Sequence, residues 1–154
     1  MQKQNLNVTY KGQPLVGFDF ELLPLPAALT VACQQIDQAA DQARRMVLVD
    51  PLRALEYQVA AQEAQSFASA GYAGDVPPSV QAWMDAAELD AQAAADSILA
   101  EAVAWKEALY EIRALRLRGK QDALKALSHA AAETIADAAI AGIQACIKGV
   151  GNAA

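Results

Sequence analysis

Alanine limits what this chain can fold into more than any other feature of it. Alanine is the best helix former, yet it buries little surface and has no rotamer to lock a neighbour in place. The 55% hydrophobic content of these 154 residues therefore overstates the set of side chains that can build a core. Aromatic residues make up only 6%. Such a chain favours long helices packed closely side by side over a globule with a thick core. Its length suffices for one ordinary domain or for a hairpin plus a helical body.

The helical pattern does not start at the first residue. Residues 5–23 read as a β-hairpin, because Leu6, Val8 and Tyr10 alternate with Asn7 and Thr9. Lys11-Gly12-Gln13-Pro14 supplies turn chemistry, with Gly12 free to take positive φ. Val16, Phe18 and Phe20 alternate on the far side. An isolated two-stranded hairpin is marginal in water, so this one needs a surface to lie on, in this chain or in another. Pro24 and Pro26 end the strand. From Ala27 the spacing of Leu29, Cys33, Ile36, Ala40, Ala43 and Val47 puts one face of a helix inward.

Asp50-Pro51 reads as an N-cap followed by proline at the first helical position. The second helix is expected to run to about Ala70 with Leu52, Leu55, Val59 and Ala60 on its inner side; a single helix kinked at Pro51 fits equally well. The clearest break is Gly71 to Pro78, where a glycine suits a helix C-cap and two prolines forbid helix before them. A short helix follows with Val80, Trp83 and Met84. Asp90 caps the longest helix, whose seam is Ala95, Ile98, Ala102, Trp105, Leu109 and Ile112. Gly119 weakens that seam, which is expected to resume with Leu124, Leu127, Ala131, Ile135 and Ala138, and residues 149–154 are expected to fray. The expected fold is mainly α: an N-terminal β-hairpin (1–25), a helical segment (26–70), a Gly/Pro loop (71–78) and a C-terminal helical segment (79–150), packed as a helical hairpin or bundle.

Catalysis needs convergent polar groups, and few are in prospect. His129 is the only histidine and no CxxC pair exists, so no histidine cage or cysteine metal site is expected. Cys33 and Cys146 read as small buried hydrophobes rather than a disulfide. No glycine-rich loop opens a helix after a strand. No enzyme activity and no cofactor is expected. The formal net charge is −6, and Arg113, Arg116, Arg118 and Lys120 form the one basic cluster, read as a solvated helix face; nucleic acid is not an expected partner. Neither a secretory signal nor a bilayer-spanning stretch is expected, the nearest apolar run, Ile135 to Val150, being broken by Asp137, Gln144 and Lys148.

What remains is protein–protein contact. The candidate partner-binding residues are Val8, Tyr10, Phe18 and Phe20 of the hairpin, with Tyr72 and Trp83 flanking the Gly/Pro loop. Aromatic anchors are the usual hot spots of an interface, although core anchoring between helices explains them too, and more so for Trp105.

The matching residues SFASAGYAGDVPPSVQAWMDA at 66–86, AQAAADSILAEAVAWKEALYEIRALRL at 91–117 and Lys120 carry a family resemblance. The loop with Gly71, Tyr72, Gly74, Val76, Pro77 and Pro78 is its most specific part. This stretch resembles a segment of small tail proteins of tailed phages and prophages. Many relatives carry threonine where this chain has Asp90, which caps equally well. The resemblance implies association with a phage tail, at the fibre or tip or in their assembly, and the favoured expectation is a virion tail component, made in the host cytoplasm, that docks through its hairpin and helices on other tail or fibre proteins or on copies of itself. A tail-fibre assembly chaperone that leaves the finished particle is the alternative it leaves open. It brings no catalytic residues and does not reach the hairpin.

Overall fold

The computed structural model describes residues 1–47 and 51–148. The cap at Asp50, the choice between kinked and separate helices there, the side chain of Val47 and the fraying of 149–154 lie outside the described residues. The element order is β1 (Leu6–Tyr10), β2 (Gln13–Phe18), one 3-10 turn (Phe20–Leu22), α1 (Leu25–Val47), α2 (Pro51–Ser69), α3 (Pro78–Ala87), α4 (Ala91–Leu124) and α5 (His129–Ala145). A mainly α fold with an N-terminal hairpin is what the alanine content and the alternation at residues 6–10 lead one to expect.

Two compact units divide the chain. One joins Met1–Met46 to Leu109–Lys148, and the other is built on Val47–Ala108. The Gly/Pro loop thus lies inside the second unit, joining α2 to α3, and does not separate two halves of the chain.

In the first unit, α1, α5 and the second half of α4 pack on one another. Gly119 of α4 makes the close contact: a Cβ there would stand 2.6 Å from Cβ of Ala139 and 3.4 Å from Cδ1 of Ile36. Cys33 donates to the Lys120 carbonyl and Asp37 pairs with Arg116 and Lys120, so α1 and α4 run antiparallel. Gly142 faces Leu115 while Ala139 faces Gly119, so α5 is antiparallel to α4 as well. Ala32, Ile36, Ala40, Ile112, Ala136 and Ile143 form the centre of this core.

The hairpin closes one end of the same unit. Lys11 and Gly12 both take positive φ, 49° and 78°, the two-residue turn whose twist suits antiparallel strands. Leu6 and Val8 pack with Phe20, Leu23, Ala27, Ala28 and Val31. Burying a leucine or valine of this kind stabilises by about 1.5–3 kcal/mol each, which explains why so short a hairpin is held. The second strand departs from simple alternation. Gly17 has φ 75° and its N–H donates to Oδ1 of Asn7, while Leu6 pairs with Phe18 and Asn7 with Val16. The residue skipped is a bulge that reverses the parity of the strand. Leu15 stands opposite the buried Val8 and so turns inward, Val16 stands opposite Asn7 and turns outward, at 69% exposure, and Phe20 leaves the strand for the 3-10 turn.

In the second unit Ala64, Phe67, Val80, Ala94 and Ala95 are buried where α2, α3 and the start of α4 meet. Gly71 and Tyr72 end α2 with positive φ of 69° and 58°. The carboxylate of Glu63 accepts from the Ser79 N–H (2.9 Å), and Asp90 accepts from Ala93 N–H (2.7 Å), so each following helix begins with a capped amide.

Two seams expected from the sequence lie elsewhere. Leu52, Leu55 and Val59 are exposed at 70%, 58% and 43%, and Ala60 is half-buried; the corner with α3 forms at the far end of α2, where Phe67 faces about 120° away from Leu55 around the helix. Gly119 does not break α4. The chain instead reverses after Leu124, and Ser128 caps α5 by accepting from Ala131 N–H. That reversal resets the phase, so Ala132, Ala136, Ala139 and Ile143 are buried, whereas Leu124, Leu127 and Ala138 are exposed.

Candidate functional site

Of the six residues singled out for partner binding, two are committed inside the chain. Val8 and Phe20 are 5% and 1% exposed, within the core that the hairpin shares with α1 and α5. They are corrected accordingly from docking residues to anchors of the hairpin on its own helices. Tyr10 is half-buried against the same core, and Phe18 is exposed at 36%. Tyr72 and Trp83 are brought together at the margin of the second unit's core. The Tyr72 hydroxyl donates to Asp96 (2.6 Å), its ring meets Phe67 edge to face, and Trp83 Nε1 donates to Ser97 Oγ (3.3 Å). The hydrogen bond to Asp96 holds the Tyr72 hydroxyl above its ordinary pKa.

The polar groups that converge tie helices together. Burial of Asp37 works against its ionisation, but hydrogen bonds from Lys120 (2.5 Å) and Arg116 (2.9 Å) outweigh it and hold the carboxyl below its ordinary value. His129 Nε2 sits 2.9 Å from the Leu23 carbonyl and the ring stands edge-on to Phe20 at 5.7 Å. Gln35 brackets the backbone of Gln2 with two bonds of 2.7 and 2.8 Å, and Lys3 pairs with Glu133.

Cys33 and Cys146 are free, and burial pushes both thiols up. Cys33 lies beside Lys120, while Cys146 follows the stretch of α5 that faces Ala43 and Met46 across a shallow groove of about 300 Å³. Ten residues of α1 separate Cys33 from Ala43, about 15 Å along the helix, so the two thiols are too far apart to bridge. Among the described residues no group of three or more His, Cys, Asp or Glu could hold a metal, and no helix is long and apolar enough to cross a membrane.

Against this, large apolar side chains stand exposed at helical spacing. On α2 they are Leu52, Leu55 and Val59; in the first unit they are Tyr110, Leu117 and Leu124 of α4, at 62%, 43% and 52% exposure, followed by Leu127 at 92%. Sequence reasoning took the α2 set for core and placed Leu124 and Leu127 in an inner seam. The signal for the α4 row was present: 110, 117 and 124 are spaced by seven, one face of a helix. No known protein family, curated protein or solved structure matches the chain.

Proposed function

We propose that this chain is a non-enzymatic structural component of a phage tail, which binds other tail or fibre proteins and acts within the virion. The observation that carries the reading is the contrast between its polar and its apolar groups. The converging polar side chains brace one helix against another or against the hairpin, while leucines at helical spacing remain uncovered on α2 and α4. Exposed rows of this kind suit a polypeptide that completes its packing on assembly. The resemblance of residues 65–121 to small tail proteins supplies the setting. With the hairpin's inner face spent on α1 and α5, docking falls to the helices, with Phe18 and Val16 as the accessible apolar residues of β2.

A tail-fibre assembly chaperone is the second reading. Leu127, 92% exposed in a tight turn, favours it, because such a side chain suits transient cover of an apolar fibre segment. Quantitative mass spectrometry of gradient-purified particles tests both. Stoichiometric presence in particles is expected; absence from particles together with abundance in the lysate sinks the virion reading and leaves the chaperone.

A further inference from the structure

The first residues of the chain run between α1 and α5 and fasten the hairpin to both. The Met1 side chain is fully covered and packs against both apolar clusters of this unit, the one around Ile36 and Ile143 and the one beneath the hairpin. Its ammonium pairs with Asp137 of α5. The Gln2 backbone donates to and accepts from the Gln35 side chain of α1, and Lys3 pairs with Glu133, one turn before Asp137 on α5. The Lys3 carbonyl then accepts from the Phe20 N–H at 2.8 Å, which ties this strap to the 3-10 turn that follows the hairpin. Charge makes the amino group matter here. Glu133 and Asp137 stand at i and i+4 on α5, a spacing at which like charges destabilise a helix. Glu21 also lies close enough to act on Lys3. The Met1 ammonium and Lys3 therefore meet the carboxylates of Glu21, Glu133 and Asp137. Formylation or acetylation turns the ammonium into a neutral amide and leaves Lys3 to face those carboxylates without that charge. Residues placed ahead of Met1 do the same at that nitrogen.

We propose that the Met1 amino group is a structural cation, so that the site between α1 and α5 takes an unmodified amino terminus and is sensitive to its acylation or extension. With the ammonium in place, residues 1–3 hold the 3-10 turn and, through it, the core beneath the hairpin. With a neutral amide there, the strap loosens and the bond from Phe20 to the Lys3 carbonyl opens more often. The strap acts within the chain, whatever the helices dock on.

The test measures amide hydrogen exchange by NMR on the full chain with a free amino terminus, on an Nα-acetylated form made by semisynthesis, and on a form with glycine and serine ahead of Met1. Exchange at Phe20 is expected to rise about three- to fivefold in both modified forms, as suits an ion pair with an exposed partner. The Tyr72 amide, bonded to the Phe67 carbonyl in the second unit, should keep its rate. Asp137→Asn should give the same rise in the free form and none beyond it in the acetylated form, because the two changes remove one interaction. An unchanged Phe20 rate in the acetylated chain overturns the proposal, as do effects of acetylation and Asp137→Asn that multiply. Equal acceleration at Tyr72 overturns it too, since the terminus would then act on the whole fold. Mass spectrometry of the protein from its natural source should show a free amine on Met1; a blocked, trimmed or extended terminus there also sinks it.

Discussion

In the unit formed by Met1–Met46 and Leu109–Lys148, helices meet through glycine and alanine; in the unit built on Val47–Ala108, they meet around a phenylalanine and a few aromatic neighbours. Gly119 brings the α4 backbone so near α5 that even a methyl group would strike Ala139. Phe67 instead fills the corner between α2 and α3, with Tyr72 edge-on at 5.7 Å and Trp83 at the margin. Both are answers to a shortage of large side chains. Close approach replaces bulk with many short-range contacts between small groups, whereas an aromatic anchor concentrates the burial in one residue. The first design tolerates no added atom and the second no removed one.

The sharpest way to break this comparison is to empty the aromatic corner. Phe67→Ala should cost about 3–5 kcal/mol, read as lost hydrogen-exchange protection in α2 and α3 while α5 keeps its own. An equal loss in α5 would mean that the two units unfold as one. The converse change, Gly119→Ala, gains about 1 kcal/mol in helix propensity but overpacks the α4–α5 crossing, for a net loss of roughly 1–2 kcal/mol by chemical denaturation. A stabilised variant would show that the crossing relaxes freely and that close approach is not what holds this unit.

Smaller effects sharpen the contrast at the helix starts. Ser128→Ala and Asp90→Ala each remove a cap and should cost about 1 kcal/mol, the first loosening the start of α5 and the second the start of α4. Amide exchange at Ala131 and Ala93 reports each separately. The smallest effect at neutral pH is a change with pH. Asp37 ionises below its ordinary 3.8 in the folded chain, so its contribution is complete above that value and disappears as pH falls through the lower folded one. The stability difference between the natural chain and Asp37→Asn should be flat near neutrality and shrink only under acid conditions. A difference that grows on acidification would show that Arg116 and Lys120 do not favour the ionised carboxylate.

Much of the architecture was legible because some residues are decisive locally. Pro77-Pro78 and Asp90 set helix starts through missing donors and supplied acceptors, and Gly71 ends α2 by taking positive φ. The alternation of Leu6, Val8 and Tyr10 marked β1 and its inner face. The second strand was misread because Gly17 introduces a bulge between Val16 and Phe18, so these two do not share a face and Leu15, opposite Val8, takes the inward position. The break after Leu124 was missed because its only local sign was Ser128, while Gly119, the more conspicuous residue, serves a crossing within a helix. The candidate site was the least legible part: Val8 and Phe20 look alike whether they lie on their own helices or on a partner.

Residues that act at one place were enough to show that this protein is helical, that a hairpin precedes the helices, and where α3 and α4 begin. Which faces lie inside was settled by packing alone. Alanine suits the inner and outer faces of a helix almost equally, so the spacing of Leu52, Leu55 and Val59 or of Tyr110, Leu117 and Leu124 carries too little contrast to separate core from surface. Packing resolved it, where Gly119 let α4 close on α1 and α5 and thereby turned Arg116 inward and left Arg113 and Arg118 outside.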